Sequence, residues 1–248
     1  AERAWQDGHL SAGILTTTSA SHQRALNGFT QRWLELGGKI SNRIDYSSQQ
    51  YDHSAQLKQL FGINSSEFRH RQLSQTLGFK PKFSAYQRAD IDFVFMLADN
   101  QTGRIVRPQI NFFTNAQLPV YSTATIYNGI EDTINNMDLN GTRFPVMPWV
   151  VRSASVSPYA GQLNMLYAMG MDAYRVAGSI LTLQAIGVNN TISGHTGLLQ
   201  LGANGEIIHQ PVWAEFNEGA LTITHDNALD LTPLEPSVDP DSALDEGR

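Results

Sequence analysis

An α/β fold built on a parallel sheet is the class this sequence predicts, and three observations predict it. Apolar, strand-like runs alternate with segments of helical spacing. Glycines stand just past three of the helical segments, at Gly37 with Gly38, at Gly62 and at Gly78. The run DIDFVFMLA at residues 90–98 is almost wholly apolar, as a parallel strand covered on both faces must be. Strands in such a sheet are joined by right-handed crossovers, and ligands meet the loops at their carboxyl ends.

Residues 12–16 are a short apolar strand, followed by a polar turn in which Ser19 or Ser21 caps a helix. Leu26, Phe29, Trp33 and Leu36 recur at helical spacing until the glycine pair stops them. Ile40, Ile44 and Tyr46 then alternate with polar residues over 39–46, which completes a β-α-β unit. Residues 52–61 and 65–77 read as helices, 90–98 as the strongest strand, 101–113 as a helix in spite of Pro108, and 118–123 as another apolar strand. The carboxyl-end loops are therefore 16–19, 99–102 and 122–125, all rich in hydroxyls or amides. They supply the candidate ligand-cleft residues Thr17, Ser19, Asp99, Asn100, Ser122 and Thr123.

Beyond Phe144 the character changes, with Pro145, Pro148 and Pro158 around the apolar segment FPVMPWVV. Residues 163–186 form the longest helical pattern. From Ile192 short alternating segments turn at Gly194, Gly197, Gly202 and Asn204-Gly205, and the Asn-Gly pair between residues 199–201 and 207–208 predicts a hairpin.

Of the 248 residues, 41% are hydrophobic and 16% charged, which is the globular range and outside the disordered and fibrous classes. With no cysteine, the chain has no disulfide framework, thiolate metal site or cysteine nucleophile. The net charge of −6 is concentrated at one end: residues 225–248 carry seven acids against Arg248, leaving 16 charges of each sign in residues 1–224. A neutral body argues against nucleic acid, whose binding rests on Lys and Arg neutralising phosphates. The acidic, Pro-bearing stretch 225–248 reads as a disordered tail. The chain opens on Ala1-Glu2-Arg3-Ala4-Trp5 without an initiator Met or an apolar leader, so it is expected to be an excised part of a longer protein.

No G-x-S-x-G elbow, H-E-x-x-H pair, Walker A loop or S-x-x-K motif occurs, so no catalytic residue, metal ligand or cofactor site is expected. The seven histidines are scattered, and most are expected at the surface. Asp90 and Asp92 share a strand face but stand at its amino end, away from a cleft. Arg69, His70, Arg71, Lys80, Lys82 and Arg88 form a basic cluster without interleaved aromatics and read as a solvated face. Trp149 and Trp213 are partner anchors or, more commonly for a Trp in an apolar run, core residues.

Several segments in order carry a resemblance. LSAGILTTTSASHQRALNGFTQRWLELGG, FRHRQLSQTLGFKPKFSAYQRADIDFVFMLADNQTGRIVRPQINFF, LPVYSTATIY, MGMDAYRVAG and SGHTGLLQLGANGEIIHQPVWAEF together resemble the carboxyl-terminal domain of the LppC family over nearly all of residues 1–224. That family comprises outer-membrane lipoproteins that activate a class A penicillin-binding protein, and the domain is similar to type I periplasmic binding proteins.

The resemblance implies parallel sheets flanked by helices in two lobes, with the first lobe incomplete in this chain. Residues 1–120 would belong to the second lobe, 121–190 to a return crossing with a partial first lobe, and 191–224 to the closing strands of the second lobe. It further implies a noncatalytic regulator of peptidoglycan synthesis on the periplasmic side of the outer membrane. Its partner would be a class A penicillin-binding protein, and it would meet the membrane only through a lipid anchor upstream. The alternative is a periplasmic receptor for a small cleft ligand, resting on the six polar loop residues, among which no Arg or Lys is present to clamp a carboxylate.

Overall fold

A computed structural model of the chain describes residues 1–79, 90–115, 118–152, 157, 159–186, 191–202 and 204–224. The acidic tail expected at 225–248 lies outside the described residues, as do Lys80, Lys82 and Arg88 of the basic cluster.

A short helix α1 (Glu2–Gln6) leads into strand β1 (Ser11–Thr16), helix α2 (Ala20–Glu35) and strand β2 (Lys39–Asp45), the β-α-β unit that the periodicity predicts. The Ser19 hydroxyl caps α2 by accepting the His22 amide at 3.3 Å, and Leu26, Phe29 and Trp33 form its buried stripe. Gly37, at φ +92°, ends the helix. Gly38 is required for a different reason: a Cβ there would stand 2.2 Å from a ring carbon of Trp33. That ring is held in place by its Nε1, which donates to the Lys39 carbonyl at 2.9 Å.

The chain crosses back through helices α3 (Ser54–Leu60) and α4 (Ile63–Leu77) to β3 (Phe93–Met96). Gly62, at φ +66°, stands just past the end of α3 as expected, its amide donating to the Gln59 carbonyl at 3.2 Å, and it is also the residue from which α4 starts. Strand β3 is shorter than the expected 90–98 because the acids before it are engaged elsewhere. The Asp92 carboxylate accepts the amides of Leu10 and Ser11 at 2.8 and 2.9 Å, and the Ser41 hydroxyl donates to the Asp90 carbonyl at 2.7 Å and lies 3.2 Å from its carboxylate. The two carboxylates thus pin the amino end of the sheet.

Helix α5 (Asn100–Thr114) runs through Pro108 to β4 (Val120–Ser122). After a 3-10 turn come α6 (Thr133–Asn136), a second 3-10 turn and β5 (Thr142–Val146). Helices α7 (Pro148–Arg152) and α8 (Gly161–Ile186) precede five strands, β6 (Thr191–Ser193), β7 (Leu198–Leu201), β8 (Ile207–Gln210), β9 (Val212–Asn217) and β10 (Ala220–Thr224).

Seven strands join in the order β10-β9-β5-β4-β3-β1-β2, with β2–β1, β1–β3, β3–β4 and β4–β5 parallel. A hairpin of Glu218 (φ +50°) and Gly219 (φ +76°) links β9 to β10, both residues taking the left-handed conformation of a type I′ turn. Strands β6, β7 and β8 pair antiparallel in a sheet of their own, with the turn at Asn204-Gly205 in the place the sequence predicts. Of the strands expected over 191–224, only β9 and β10 extend the large sheet.

The chain divides into two compact units. The first comprises 1–128, 132–145 and 214–222; the second comprises 129–131, 146–213 and the residues from 223. The core of the first is aromatic. Phe29 stacks on Phe95 with centroids 4.1 Å apart, Trp33 meets Phe93 edge-on at 5.2 Å, and Phe144 stacks on Phe216 at 4.9 Å. Each such ring withdraws enough apolar area to stabilise the fold by roughly 1.5–3 kcal/mol relative to exposure. The second unit is organised around α8, whose inner stripe of Gly161, Asn164, Ala168 and Asp172 is buried.

Candidate functional site

The strand order 2-1-3-4-5 reverses direction between β1 and β3, and an α/β sheet presents a crevice outside the carboxyl ends of its strands at that switch point. The three predicted loops follow β1, β3 and β4, three adjacent strands, so all six candidate residues come to one edge of one sheet. Their side chains divide into two groups.

Thr17, Asn100 and Ser122 are buried and directed inward. The Thr17 hydroxyl lies 2.7 Å from Nδ1 of His22 and also accepts the Ser19 amide at 3.3 Å. Asn100 Nδ2 donates to the Ile126 carbonyl at 3.0 Å, fixing the loop after β4. The Ser122 hydroxyl donates to the Met96 carbonyl at 2.7 Å, across the ladder from β4 to β3. Their hydrogen bonds are made within the chain and hold the loops after β1, β3 and β4.

Ser19 and Asp99 are exposed and Thr123 is half-buried. Asp99 caps α5, its Oδ1 accepting the Thr102 amide at 2.8 Å, and Ser19 caps α2, so two helix starts flank the switch point. Thr123 Oγ1 lies 2.7 Å from Thr125 Oγ1, and Thr125 in turn donates to the Ala98 carbonyl at 3.0 Å.

His22, Tyr46 and Thr125 belong to this edge and were not among the six. Tyr46 donates to the Leu97 carbonyl at 2.7 Å, and burial together with the Asp99 charge pushes its phenol well above the usual value. Burial lowers His22, with the Asp99 carboxylate pulling the other way. His22 was legible: three residues after an N-cap is the first-turn position that faces back on the cap. The edge offers one carboxylate, one imidazole and several hydroxyls, a set suited to hydrogen-bonding a polar group. The hydroxyl nearest the imidazole is that of Thr17, which is buried.

A second polar cluster lies in the α8 unit, and the sequence reading missed it. The buried Asp172 carboxylate accepts the amides of His195 and Thr196 at 2.8 Å each, the Thr196 hydroxyl at 2.7 Å, and lies 3.0 Å from His195 Nδ1. Burial alone would raise this carboxyl. The Thr196 hydroxyl and the two amides outweigh it and hold the group below its ordinary 3.8. Gly194 is fixed by the same contact, since a Cβ there would meet Asp172 Oδ2 at 2.7 Å. Trp149, half-buried, donates from Nε1 to Asn164 at 2.7 Å and packs edge-on to His195 at 5.1 Å.

Among the described residues no group of three or more His, Asp or Glu side chains is placed to hold a metal ion. His53 departs from the surface placement expected of most histidines: it is fully buried against Tyr46, and desolvation lowers its pKa.

Residues 1–219 match the family described as "LppC putative lipoprotein". A protein named "Penicillin-binding protein activator LpoA", from Photobacterium profundum, is 26% identical over 234 residues, covering 90% of this chain and 38% of that protein. The chain thus spans little more than a third of the length of the curated relatives it matches. Among solved structures, the fold is similar to one described as "LpoA (YraM) C-domain from Haemophilus influenzae, a regulator of PBP1A". That match has a TM-score of 0.61, 19% identity, and covers 90% of this chain and 64% of that one. It is also similar to a putative branched-chain amino acid ABC transporter from Chromobacterium violaceum, at a TM-score of 0.57 and 21% identity over 86% of this chain and 62% of that one.

Proposed function

This chain belongs to the LppC family, and on that premise we propose that it is a noncatalytic regulatory domain that binds a class A penicillin-binding protein and shifts it toward its active state. The observation that carries this reading is the family match over residues 1–219, joined to relatives named as activators and a fold like that of a domain described as a regulator of PBP1A. Its place of action is the periplasmic side of the outer membrane, reached through a lipid anchor upstream of this segment. The seven-stranded sheet is read as the second lobe of a type I binding-protein fold, and α8 with its small sheet as the part of the first lobe that the chain carries.

Activation has a thermodynamic condition. A regulator with equal affinity for both states of the synthase shifts nothing, whereas each tenfold preference for the active state moves the equilibrium by about 1.4 kcal/mol. The direct test is binding of the purified chain to an immobilised class A penicillin-binding protein. Saturable binding is expected; no binding by a chain with a cooperative melt would overturn the proposal.

A second reading is favoured by the edge at the switch point, where Ser19 and Asp99 are exposed and Thr123 half-buried beside the buried Thr17, Asn100 and Ser122. On that reading the chain is a receptor for a small polar ligand. A ligand at 100 times its Kd adds about 2.7 kcal/mol of stability, a rise in Tm that a screen of amino acids and cell-wall fragments would detect. Asp99→Ala should abolish the rise, and a flat screen would remove this reading.

A further inference from the structure

The connection from β2 to α3 is held against the sheet unit by two side chains. Tyr46, just past β2, donates its backbone amide to the Thr16 carbonyl at 2.8 Å and its phenol to the Leu97 carbonyl at 2.7 Å. Gln109 of α5 holds the other end, its Oε1 accepting the His53 amide and its Nε2 donating to the Tyr51 carbonyl, both at 2.8 Å. The His53 ring packs edge-on to Tyr46 with centroids 5.1 Å apart, so both anchors meet at this one residue.

His53 is fully buried, and neither Nδ1 nor Nε2 makes a hydrogen bond. A neutral imidazole so placed has given up its water for nothing in return. An imidazolium would need two acceptors and would carry a charge into an apolar site, a far heavier loss. Gln56 Oε1, one turn along α3, is likewise buried without a partner, so the start of this helix leaves two polar side chains unsatisfied. The Gln50 backbone and the charge of Asp52 favour a proton on His53, but burial outweighs both and holds the group below its ordinary 6.5. From the other elements packed here, Tyr46 keeps its phenol proton, which burial secures, and on α5 Arg104 is bonded to Asp132 and Asn136 and Arg107 to Thr142.

We propose that His53 is an acid-sensitive latch: the neutral ring closes the β2–α3 connection onto the sheet unit, and uptake of a proton releases residues 47–56 from Tyr46 and Gln109. The released ring accepts its proton at about 6.5 and the enclosed ring disfavours it, so closure is fully present above pH 6.5 and weakens as pH falls below it. Opening that takes up one proton grows up to about tenfold with each pH unit. Release of Tyr46 reaches the crevice edge, because its phenol holds the Leu97 carbonyl two residues before Asp99. The window lies well above the acid range in which Asp172 of the other unit gains its proton.

The test is native-state hydrogen exchange on the whole chain from about pH 7.5 to about pH 5, corrected for the intrinsic exchange rate. It is read at the His53 amide, bonded to Gln109, and at the Leu57 amide, bonded to the His53 carbonyl. Protection there should fall by up to about tenfold per pH unit below 6.5, with the amides of β1 and β3 unchanged. His53→Phe keeps a ring at the site with no proton to gain and should hold protection level. His22→Asn should leave the fall in place, which separates His53 from the other imidazole that burial lowers at this edge. A second readout needs no substitution: in an NMR titration of the natural chain the His53 ring should gain its proton below 6.5, together with the loss of protection. Level protection in the natural chain, a fall that spreads into β1 and β3, one that survives His53→Phe or disappears in His22→Asn, or a His53 ring that titrates at 6.5 while Leu57 stays protected would overturn the proposal.

Discussion

Trp33, Phe61, Phe93, Phe144 and Phe216 are fully buried, and among the described residues the largest fully buried side chains all belong to the sheet unit. The α8 unit buries Val150, Ala168, Leu199 and Leu201 but leaves Tyr159, Leu163, Leu166, Met169 and Tyr174 largely in water. Its long helix is tied to β6 and the turn that follows by the Asp172 carboxylate, with its hydrogen bonds from His195 and Thr196, and by Arg175, which donates to the Ser193 carbonyl at 2.8 Å. Large buried side chains dominate the first unit, whereas in the second directed hydrogen bonds carry more of the load. Area tolerates polar variation at the surface, and the sheet unit can therefore carry an open polar edge at its switch point. A directed contact fails when one partner is removed.

The largest expected effect falls in the sheet unit. Trp33→Ala should cost about 3–5 kcal/mol in urea unfolding, because the ring is enclosed by Phe29, Phe93 and Gly38. A loss under about 1 kcal/mol would contradict a core built on that stack.

Next comes the clamp. Asp172→Ala strands a buried hydroxyl and amides and should cost about 3 kcal/mol. By hydrogen exchange, the loss should be confined to β6, β7 and the amino-terminal half of α8, with β1, β3 and β4 unchanged. Spread of the effect into the sheet would erase the distinction drawn between the units.

The same carboxylate gives the comparison a pH dependence. Its folded pKa is depressed below 3.8, so its contribution is fully present above that value and is lost as pH falls below 3.8 through the folded pKa. The amides of His195 and Thr196 should lose protection over that acid window in the native chain. Asp172→Asn should lack the step, and an unaltered step in that variant would assign it to another group.

How far the sequence foretold this structure depends on how local each cause is. The β1-α2-β2 unit, the Ser19 cap and the stop at Gly37 are written in neighbouring residues and are found where periodicity and capping chemistry place them. The crevice edge was legible for a related reason, since strand order follows from crossover rules and places the loops after β1, β3 and β4 together. Which of those hydroxyls turn inward was not legible. The partner of Ser122 is a carbonyl 26 residues away, and that of Asn100 is equally distant. Arg107 reads as an ordinary polar residue of an amphipathic helix. It is 4% exposed, bonded to Thr142 at 3.2 Å, and desolvation lowers it to about 10. Asp172 gave no local signal because its donors lie 23 and 24 residues on, in a turn without a recognisable motif.

Two smaller effects sharpen the account. Asp99→Asn keeps the α5 cap but removes a charge that supports protonated His22, so the His22 resonance in an NMR titration should move to lower pH. No movement would place Asp99 outside the edge as a working group. Ser122→Ala should cost about 1 kcal/mol in urea unfolding, the net worth of one buried hydrogen bond to a neutral partner. A cost of about 3 kcal/mol or more, beyond that net worth, would mean that the hydroxyl holds the β3–β4 edge together.

The measurement that bears most directly on function is the rate of glycan polymerisation and peptide cross-linking by a purified class A penicillin-binding protein, followed as the chain is added to saturation. The account predicts a rate that rises and levels at a binding stoichiometry, with Trp33→Ala losing the effect in proportion to its unfolded fraction. A rate that stays flat while binding saturates would contradict activation by this part of the protein.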